Sequence, residues 1–229
     1  MINNFFTYPM RIFFLTSAAC AVLGAAIFFT PTDFVSLHKF IFLHLFLALA
    51  YAGFLLTGLT DWTNFSSSLK AHAYILFSLF ATSFIAALFS LFLAHFFITL
   101  FWAYLVMLCL YMIWRDKNLD QFGVLGFLFG ILGFEIYYLI SGNEKFLNLQ
   151  IYLHIIAILL ISYRVSVVLG KEALKRENDM DEAIFVPNFI YKNIAICMTC
   201  AFLLFNIFFE NSIGTYYVAV SYTHLTLPR

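Results

Sequence analysis

Residues 71–114 read AHAYILFSLFATSFIAALFSLFLAHFFITLFWAYLVMLCLYMIW, without a single Asp, Glu, Lys or Arg. The apolar residues run continuously instead of alternating, which favours helices over strands. At about 1.5 Å per residue, one helix of this length would reach roughly 66 Å, about twice the thickness of a hydrocarbon core of about 30 Å. We therefore predict two membrane-spanning helices, residues 73–94 and 96–114, joined by a tight turn near His95.

The rest of the chain has the same character. Of its 229 residues, 64% are apolar and only 10% are charged, whereas an ordinary soluble domain is about half apolar and about a quarter charged. So much apolar surface cannot be buried inside a globule of this size, and backbone groups in lipid must pair within their own segment. The predicted fold class is therefore all-α, a polytopic transmembrane helix bundle over residues 1–210. We expect about seven spans, at residues 12–29, 40–60, 73–94, 96–114, 122–141, 149–169 and 190–209.

The final residues, 221–229, read SYTHLTLPR and do not continue the apolar pattern of the spans. They are similar to the read-through tails of fragmentary gene predictions, and a short polar terminus is the alternative. We expect residues 211–229 to be an incomplete or non-native tail. The partners of this chain would then include missing C-terminal helices of the same protein.

Lys and Arg are distributed unequally between the two sides of the predicted bundle. One side carries Lys39 and Lys145 before the tail. The other side carries Arg11, Lys70, Arg115, Lys117, Lys171, Lys175, Arg176 and Lys192. Because cytoplasmic loops hold the excess of Lys and Arg, we expect the N-terminus in the cytoplasm. The formal net charge is zero, which leaves no basic face for nucleic acid and makes the lipid bilayer the expected partner.

Ionisable side chains inside the spans are few, and most of them share one depth. With this orientation, the outer half of the membrane contains His38, His44, His95, Glu135 and His154. His72 is the exception and lies at the cytoplasmic end. Such groups cost about 3 kcal/mol or more in a bilayer, so they tend to face the bundle interior and mark a functional path. Histidines from different helices at one depth are what a haem or copper site requires, because imidazole ligates transition metals and haem iron.

Each of these residues also has an ordinary structural interpretation. His38 and His95 lie near span ends, where an interfacial anchor is the favoured role, whereas His44 and His154 lie deeper and are open to either role. Glu135 would orient a ligand histidine through a hydrogen bond, or be a protonated acid satisfied by a neighbouring helix. All four histidines are candidate cofactor ligands, and His44 and His154 are also candidate metal ligands.

Two further features inside the spans involve charge and sulfur. Arg164 lies about two turns from the cytoplasmic end of the sixth span, where it would snorkel or clamp a haem propionate or carboxylate. Its depth favours a structural ion pair. Cys197 and Cys200 lie at i and i+3 on one helix face and would suit Cu(I), although buried cysteine commonly packs as a small hydrophobe.

Three stretches resemble the NnrS family of bacterial membrane proteins. Residues 52–63, AGFLLTGLTDWT, are similar to the family's signature after its histidine-bearing second helix. Residues 162–170, SYRVSVVLG, resemble its arginine-serine-leucine-glycine helix end, and residues 8–14, YPMRIFF, resemble its N-terminal segment. With the order of helices, the resemblance covers most of residues 8–210.

The resemblance implies a multi-spanning haem- and copper-containing protein of the bacterial cytoplasmic (inner) membrane, linked to the nitric oxide response and to nitrosative stress tolerance. The outer histidines would then be haem or copper ligands, and nitric oxide or a nitrosyl species would be a partner. His38 stands near the start of the second helix, but Lys39-Phe40 replaces the His-Glu-Met that the family often carries there. His154 lies at a different distance from the arginine than the family's histidine does. The family has close to twelve spans, so this chain would be its N-terminal part.

Three functional hypotheses follow from these observations. The leading one is a haem- and copper-binding inner-membrane protein of the nitric oxide response. The second is a proton-coupled transporter or channel that uses Glu135 and His154, and the third is a structural membrane subunit whose polar groups only lock helices together. No Walker loop, GxGxxG, HExxH or GxSxG motif is present, so nothing supports a soluble-type kinase, dehydrogenase or hydrolase, and whether any reaction is catalysed stays open.

Overall fold

The computed structural model describes residue 6 and residues 8–29, 35–63, 67–116, 122–178 and 189–209. Within this part of the chain every regular element is helical, which confirms the predicted all-α class. The seven helices are α1 (Pro9–Ala26), α2 (35–62), α3 (Lys70–Ala87), α4 (Leu91–Asp116), α5 (Phe122–Ser141), α6 (Lys145–Asn178) and α7 (Phe189–Phe208).

By length and composition, α1 to α6 each supply a segment that can cross a membrane, and α7 supplies a shorter apolar segment, Asn193–Phe208. The chain is therefore a multi-pass membrane protein, as predicted. The expected tail at 211–229 lies outside the described residues.

The chain divides into two compact units, residues 1–147 and 148–229. In the first unit, α3 and α4 pack together as a helical hairpin, and α4 also contacts α2 and α5, while α1 packs against α2. Helices α2 and α4 are the most deeply buried spans of this unit. More than half of the residues in the spanning segments of these two helices are therefore buried inside the protein and do not face lipid.

The turn between α3 and α4 lies at residues 88–90, before the position near His95 where the sequence led us to expect it. The main-chain N–H groups of Phe89 and Ser90 donate to the carbonyl of Ala86 and close α3. Ser90 then begins α4, because its hydroxyl oxygen accepts the N–H of Leu93 at 3.4 Å, the position of an N-cap. As a result, His95 lies inside α4 and not at an interfacial turn.

Helix α2 contains a π-helical segment at Phe40–Phe46. It lies between two α-helical segments, Val35–Lys39 and Leu47–Trp62. A π turn holds one more residue per hydrogen-bonded ring than an α turn, and such segments occur frequently at functional sites. The hydroxyl of Ser17 on α1 donates to the carbonyl of Phe46 at 3.1 Å. This bond ties the end of the π segment to the neighbouring helix.

The contact of α1 with the π segment leads to a stability prediction. A Cβ added at Gly24 would meet Cε2 of Phe42 at 2.6 Å and Cγ2 of Ile41 at 3.1 Å. We expect Gly24→Ala to destabilise the fold by about 1–3 kcal/mol, the usual range for an overpacked contact. Unfolding of the purified protein in detergent checks this. Gly126→Ala is the matched control, because nothing lies within 4 Å of its added Cβ; equal stability of the two variants would contradict the prediction.

Candidate metal and cofactor site

Three buried polar side chains meet inside the first unit. Nδ1 of His44 lies 2.6 Å from Oε1 of Glu135, and Nδ1 of His95 lies 2.9 Å from Oε2 of the same carboxyl group. The exposed fractions are 3% for His44, 5% for His95 and 0% for Glu135. Among the described residues, this is the group in which three potential metal-ligating side chains come together, with their ligand atoms within 4.8 Å of one another.

Each member of the group comes from a different helix. His44 lies in the π segment near the start of α2, His95 lies near the start of α4, and Glu135 lies near the end of α5. Consecutive spans run in alternating directions, so the start of α2, the start of α4 and the end of α5 belong at the same end of the bundle. The contacts thus bring together residues that the sequence placed at one depth.

Two aromatic side chains line the imidazole pair. The ring of Phe40 stacks on His44 with centroids 5.6 Å apart and meets the edge of His95 at 4.8 Å. The ring of Tyr138 contacts His95 at 4.6 Å, and the two imidazoles are themselves 4.6 Å apart. The sequence analysis missed Phe40 and Tyr138. The sequence did contain a signal for them. Phe40 lies four residues before His44 and Tyr138 lies three residues after Glu135, and residues at these spacings share a helix face.

The hydrogen bonds of Glu135 determine which imidazole nitrogens remain for a ligand. An ionised carboxylate has no proton to donate, so when Glu135 is ionised the Nδ1 atoms of His44 and His95 each donate an N–H to it. In a neutral imidazole this leaves the lone pair on Nε2. Ligand histidines in metal proteins commonly donate their other N–H to a carboxylate in this way, which orients the ring and raises its basicity.

With Nδ1 engaged in this way, Nε2 is the atom of each imidazole that a transition metal or haem iron would take, and the chemistry of the donors suits either. Imidazole suits copper, zinc and iron, and histidine is a frequent axial ligand of haem. A metal lying between the Nδ1 atoms and the carboxylate fits less well. Two ligands about 2.1 Å from one ion and at right angles would be about 3 Å apart, whereas Nδ1 of His44 and Oε1 of Glu135 are separated by 2.6 Å.

Two further histidines of the first unit, His38 and His72, bond to other partners. Nδ1 of His38 donates to the carbonyl of Gly24 at 2.9 Å, which joins α2 to α1. Nδ1 of His72 is 2.7 Å from the hydroxyl of Tyr104, a bond between α3 and α4. His154 is buried on α6 in the second unit, and its ligand role stays a prediction.

The remaining candidates are on α6 and α7. Cys197 is exposed, and Cys200 is half-buried; both are free thiols. Copper binding by this pair stays a prediction. The side chain of Arg164 lies outside the part of the chain that the structure describes, and so does its predicted role.

The comparisons with known proteins bear on the whole chain. No curated protein matches it, and no solved structure matches it. The family described as NnrS protein matches residues 4–227, nearly the full length. Such a match is consistent with a protein of the nitric oxide response. The chain therefore belongs to the NnrS family, which the resemblance of residues 52–63 and 162–170 had indicated.

Proposed function

We propose that this chain is a haem- and copper-binding protein of the bacterial inner membrane that takes part in the response to nitric oxide and in nitrosative stress tolerance. His44 and His95 are its ligands, through their Nε2 atoms. The observation that carries the proposal is the pair of short bonds from Glu135 to both Nδ1 atoms. Membership of the NnrS family supports the same function.

Each residue of the site has a role in this proposal. Glu135 orients both imidazoles, and its negative charge offsets part of the charge of a bound cation. Phe40 and Tyr138 cover the imidazoles and keep water away from them. The bound haem or copper would supply the coordination position at which nitric oxide binds, whereas the helices α2, α4 and α5 hold the ligands at a fixed spacing.

The proposed orientation places this site close to the outer surface of the inner membrane. The excess of Lys and Arg predicts a cytoplasmic N-terminus, so α2 and α4 begin, and α5 ends, at the outer side. Nitric oxide that arrives from outside the cell would then meet the site before it reaches the cytoplasm.

A visible spectrum of the protein, purified in mild detergent, tests the proposal. We expect a Soret band, with iron or copper detected by elemental analysis, and a shift of the band when nitric oxide is added without oxygen. A protein with no Soret band, no bound iron and no bound copper would overturn the proposal.

A second function is favoured by the complete burial of Glu135 between two imidazoles. Buried acids and histidines in membrane spans form proton paths, and a proton-coupled transporter or channel would use Glu135 with His154. This function predicts proton-coupled flux in liposomes that Glu135→Gln abolishes, in a protein that holds no metal. Metal-dependent spectra without such flux would decide against it.

A further inference from the structure

A phenol and an imidazole are hydrogen-bonded to each other in the hairpin of α3 and α4, outside the candidate metal site. Nδ1 of His72, near the start of α3, is 2.7 Å from the hydroxyl oxygen of Tyr104 on α4. Both residues are half-buried, and both lie in segments that can cross a membrane. Neither belongs to the group of potential metal ligands around Glu135, so the proposed function gives this pair no role.

The surroundings of Tyr104 indicate which atom donates in this bond. Within the part of the chain that the structure describes, the bond to His72 is the one hydrogen bond of the Tyr104 hydroxyl. A donor left without an acceptor in apolar surroundings costs about 1–3 kcal/mol. Nδ1 of His72 is the acceptor that the described residues offer, so the Tyr104 O–H donates to it. The neutral imidazole then carries its proton on Nε2 and presents Nδ1 as a base.

A phenol bonded to a base gives up an electron more easily than a phenol without one. When the electron leaves, the phenolic proton moves along the existing hydrogen bond to the base, so no phenol cation has to form. Such a transfer requires the two heavy atoms to be about 2.6–3.2 Å apart, and the separation here is 2.7 Å. His72 therefore makes Tyr104 the more readily oxidised of otherwise similar tyrosines.

We propose that Tyr104 is a modification site, nitrated by nitrogen dioxide, and that His72 is the base that accepts its phenolic proton. The choice of oxidant rests on the proposed function. Nitric oxide and oxygen both dissolve in lipid, where two molecules of nitric oxide and one of oxygen give two molecules of nitrogen dioxide. A tyrosine on a membrane-spanning helix is exposed to the oxidant where it forms.

The reaction consumes two molecules of nitrogen dioxide for each tyrosine. The first takes one electron from Tyr104 and becomes nitrite, while the phenolic proton passes to Nδ1 of His72. The second, itself a radical, pairs its electron with that of the tyrosyl radical and forms a C–N bond at the ring carbon next to the phenol carbon. The hydrogen on that ring carbon then moves to the phenol oxygen as a proton. The products are 3-nitrotyrosine, nitrite and a protonated His72.

Two other tyrosines separate the effect of the base from the effect of exposure. Tyr74 on α3 and Tyr137 on α5 are 38% and 43% exposed, more than the half-buried Tyr104. Their rings contact those of Phe6 and Phe146, and neither hydroxyl has a hydrogen-bond partner among the described residues. Exposure alone predicts more nitration at these two tyrosines, whereas assistance by His72 predicts more at Tyr104.

Mass spectrometry of the full chain in lipid vesicles, after brief exposure to nitrogen dioxide, measures the nitrated fraction of each tyrosine. In the wild type we expect a larger fraction at Tyr104 than at Tyr74 or Tyr137. His72→Gln keeps a hydrogen-bond acceptor but removes the base. A general base is typically worth about 10²–10⁴-fold, so this variant should lower nitration of Tyr104 at least about tenfold and leave Tyr74 and Tyr137 unchanged.

His38→Gln is the matched control, because His38 bonds to the carbonyl of Gly24 and not to a tyrosine. It should leave nitration of Tyr104 unchanged. More nitration at Tyr74 or Tyr137 than at Tyr104 in the wild type would overturn the proposal, and so would equal nitration of Tyr104 in the wild type and His72→Gln. The oxidant is supplied from outside, so the result does not depend on a bound cofactor. A protein without haem or copper would refute the proposed function and leave this test intact.

Discussion

Replacing His95 or His44 with alanine is expected to remove the bound cofactor. Each change deletes one imidazole that the proposal assigns as a ligand, and even the loss of a supporting partner lowers metal affinity about 10–100-fold. We therefore expect the affinity to fall by at least about 100-fold in either variant. Iron, copper and haem per mole of purified protein measure the effect.

His72→Ala is the matched control for these variants. His72 is a half-buried histidine within the spans, hydrogen-bonded at 2.7 Å to Tyr104. It lies outside the His44–Glu135–His95 group. We expect it to retain the full cofactor content. Loss of cofactor in His72→Ala together with retention in His95→Ala would place the site elsewhere.

Glu135→Gln is expected to weaken cofactor binding about 10–100-fold, the usual effect of losing a carboxylate partner of a ligand histidine. The glutamine amide has one acceptor oxygen and one donor nitrogen. Its oxygen can accept the N–H from one histidine, while its NH₂ group favours an unprotonated Nδ1 on the other. That second imidazole then carries its proton on Nε2, where it cannot ligate a metal. Titration of the cofactor-free protein with haem and with copper measures the change.

Ser83→Ala controls for the loss of a buried hydrogen bond alone. The Ser83 hydroxyl is buried and donates to the carbonyl of Ala94 at 2.9 Å, so its removal should cost about 1 kcal/mol of stability. Cofactor affinity should stay close to that of the wild type. If Glu135→Gln and Ser83→Ala had equal cofactor affinities, the orienting role of Glu135 would be refuted.

The helices themselves were predictable because their signal is local. A run such as residues 71–114, without charge and longer than one bilayer crossing, leaves few alternatives to paired spans. The turn was misplaced because Ser90, the residue that caps α4, is a single small polar residue in a long apolar run. Because serine is a preferred N-cap residue, Ser90 could have marked the start of α4. That start places His95 within the helix.

The composition of the site was partly predictable, but its contacts were not. His44, His95 and Glu135 were all candidates at one depth, because depth follows from position along each span. Their pairing also depends on how each helix is rotated, and a helix that is apolar on all sides carries no amphipathic stripe to show this. The π segment around His44 also ends at a contact with Ser17 on another helix, and no local pattern encodes such a contact.

The protonation of Nδ1 on His44 and His95 tests the central claim most directly. Solid-state ¹⁵N NMR of the cofactor-free protein in lipid resolves protonated from unprotonated imidazole nitrogens, and His44→Asn and His95→Asn variants assign the signals. We predict a proton on Nδ1 of both residues, since both atoms lie within hydrogen-bond distance of Glu135 and an ionised carboxylate can only accept. An unprotonated Nδ1 on either residue would show that Glu135 does not hold the pair with both Nε2 atoms available for a ligand.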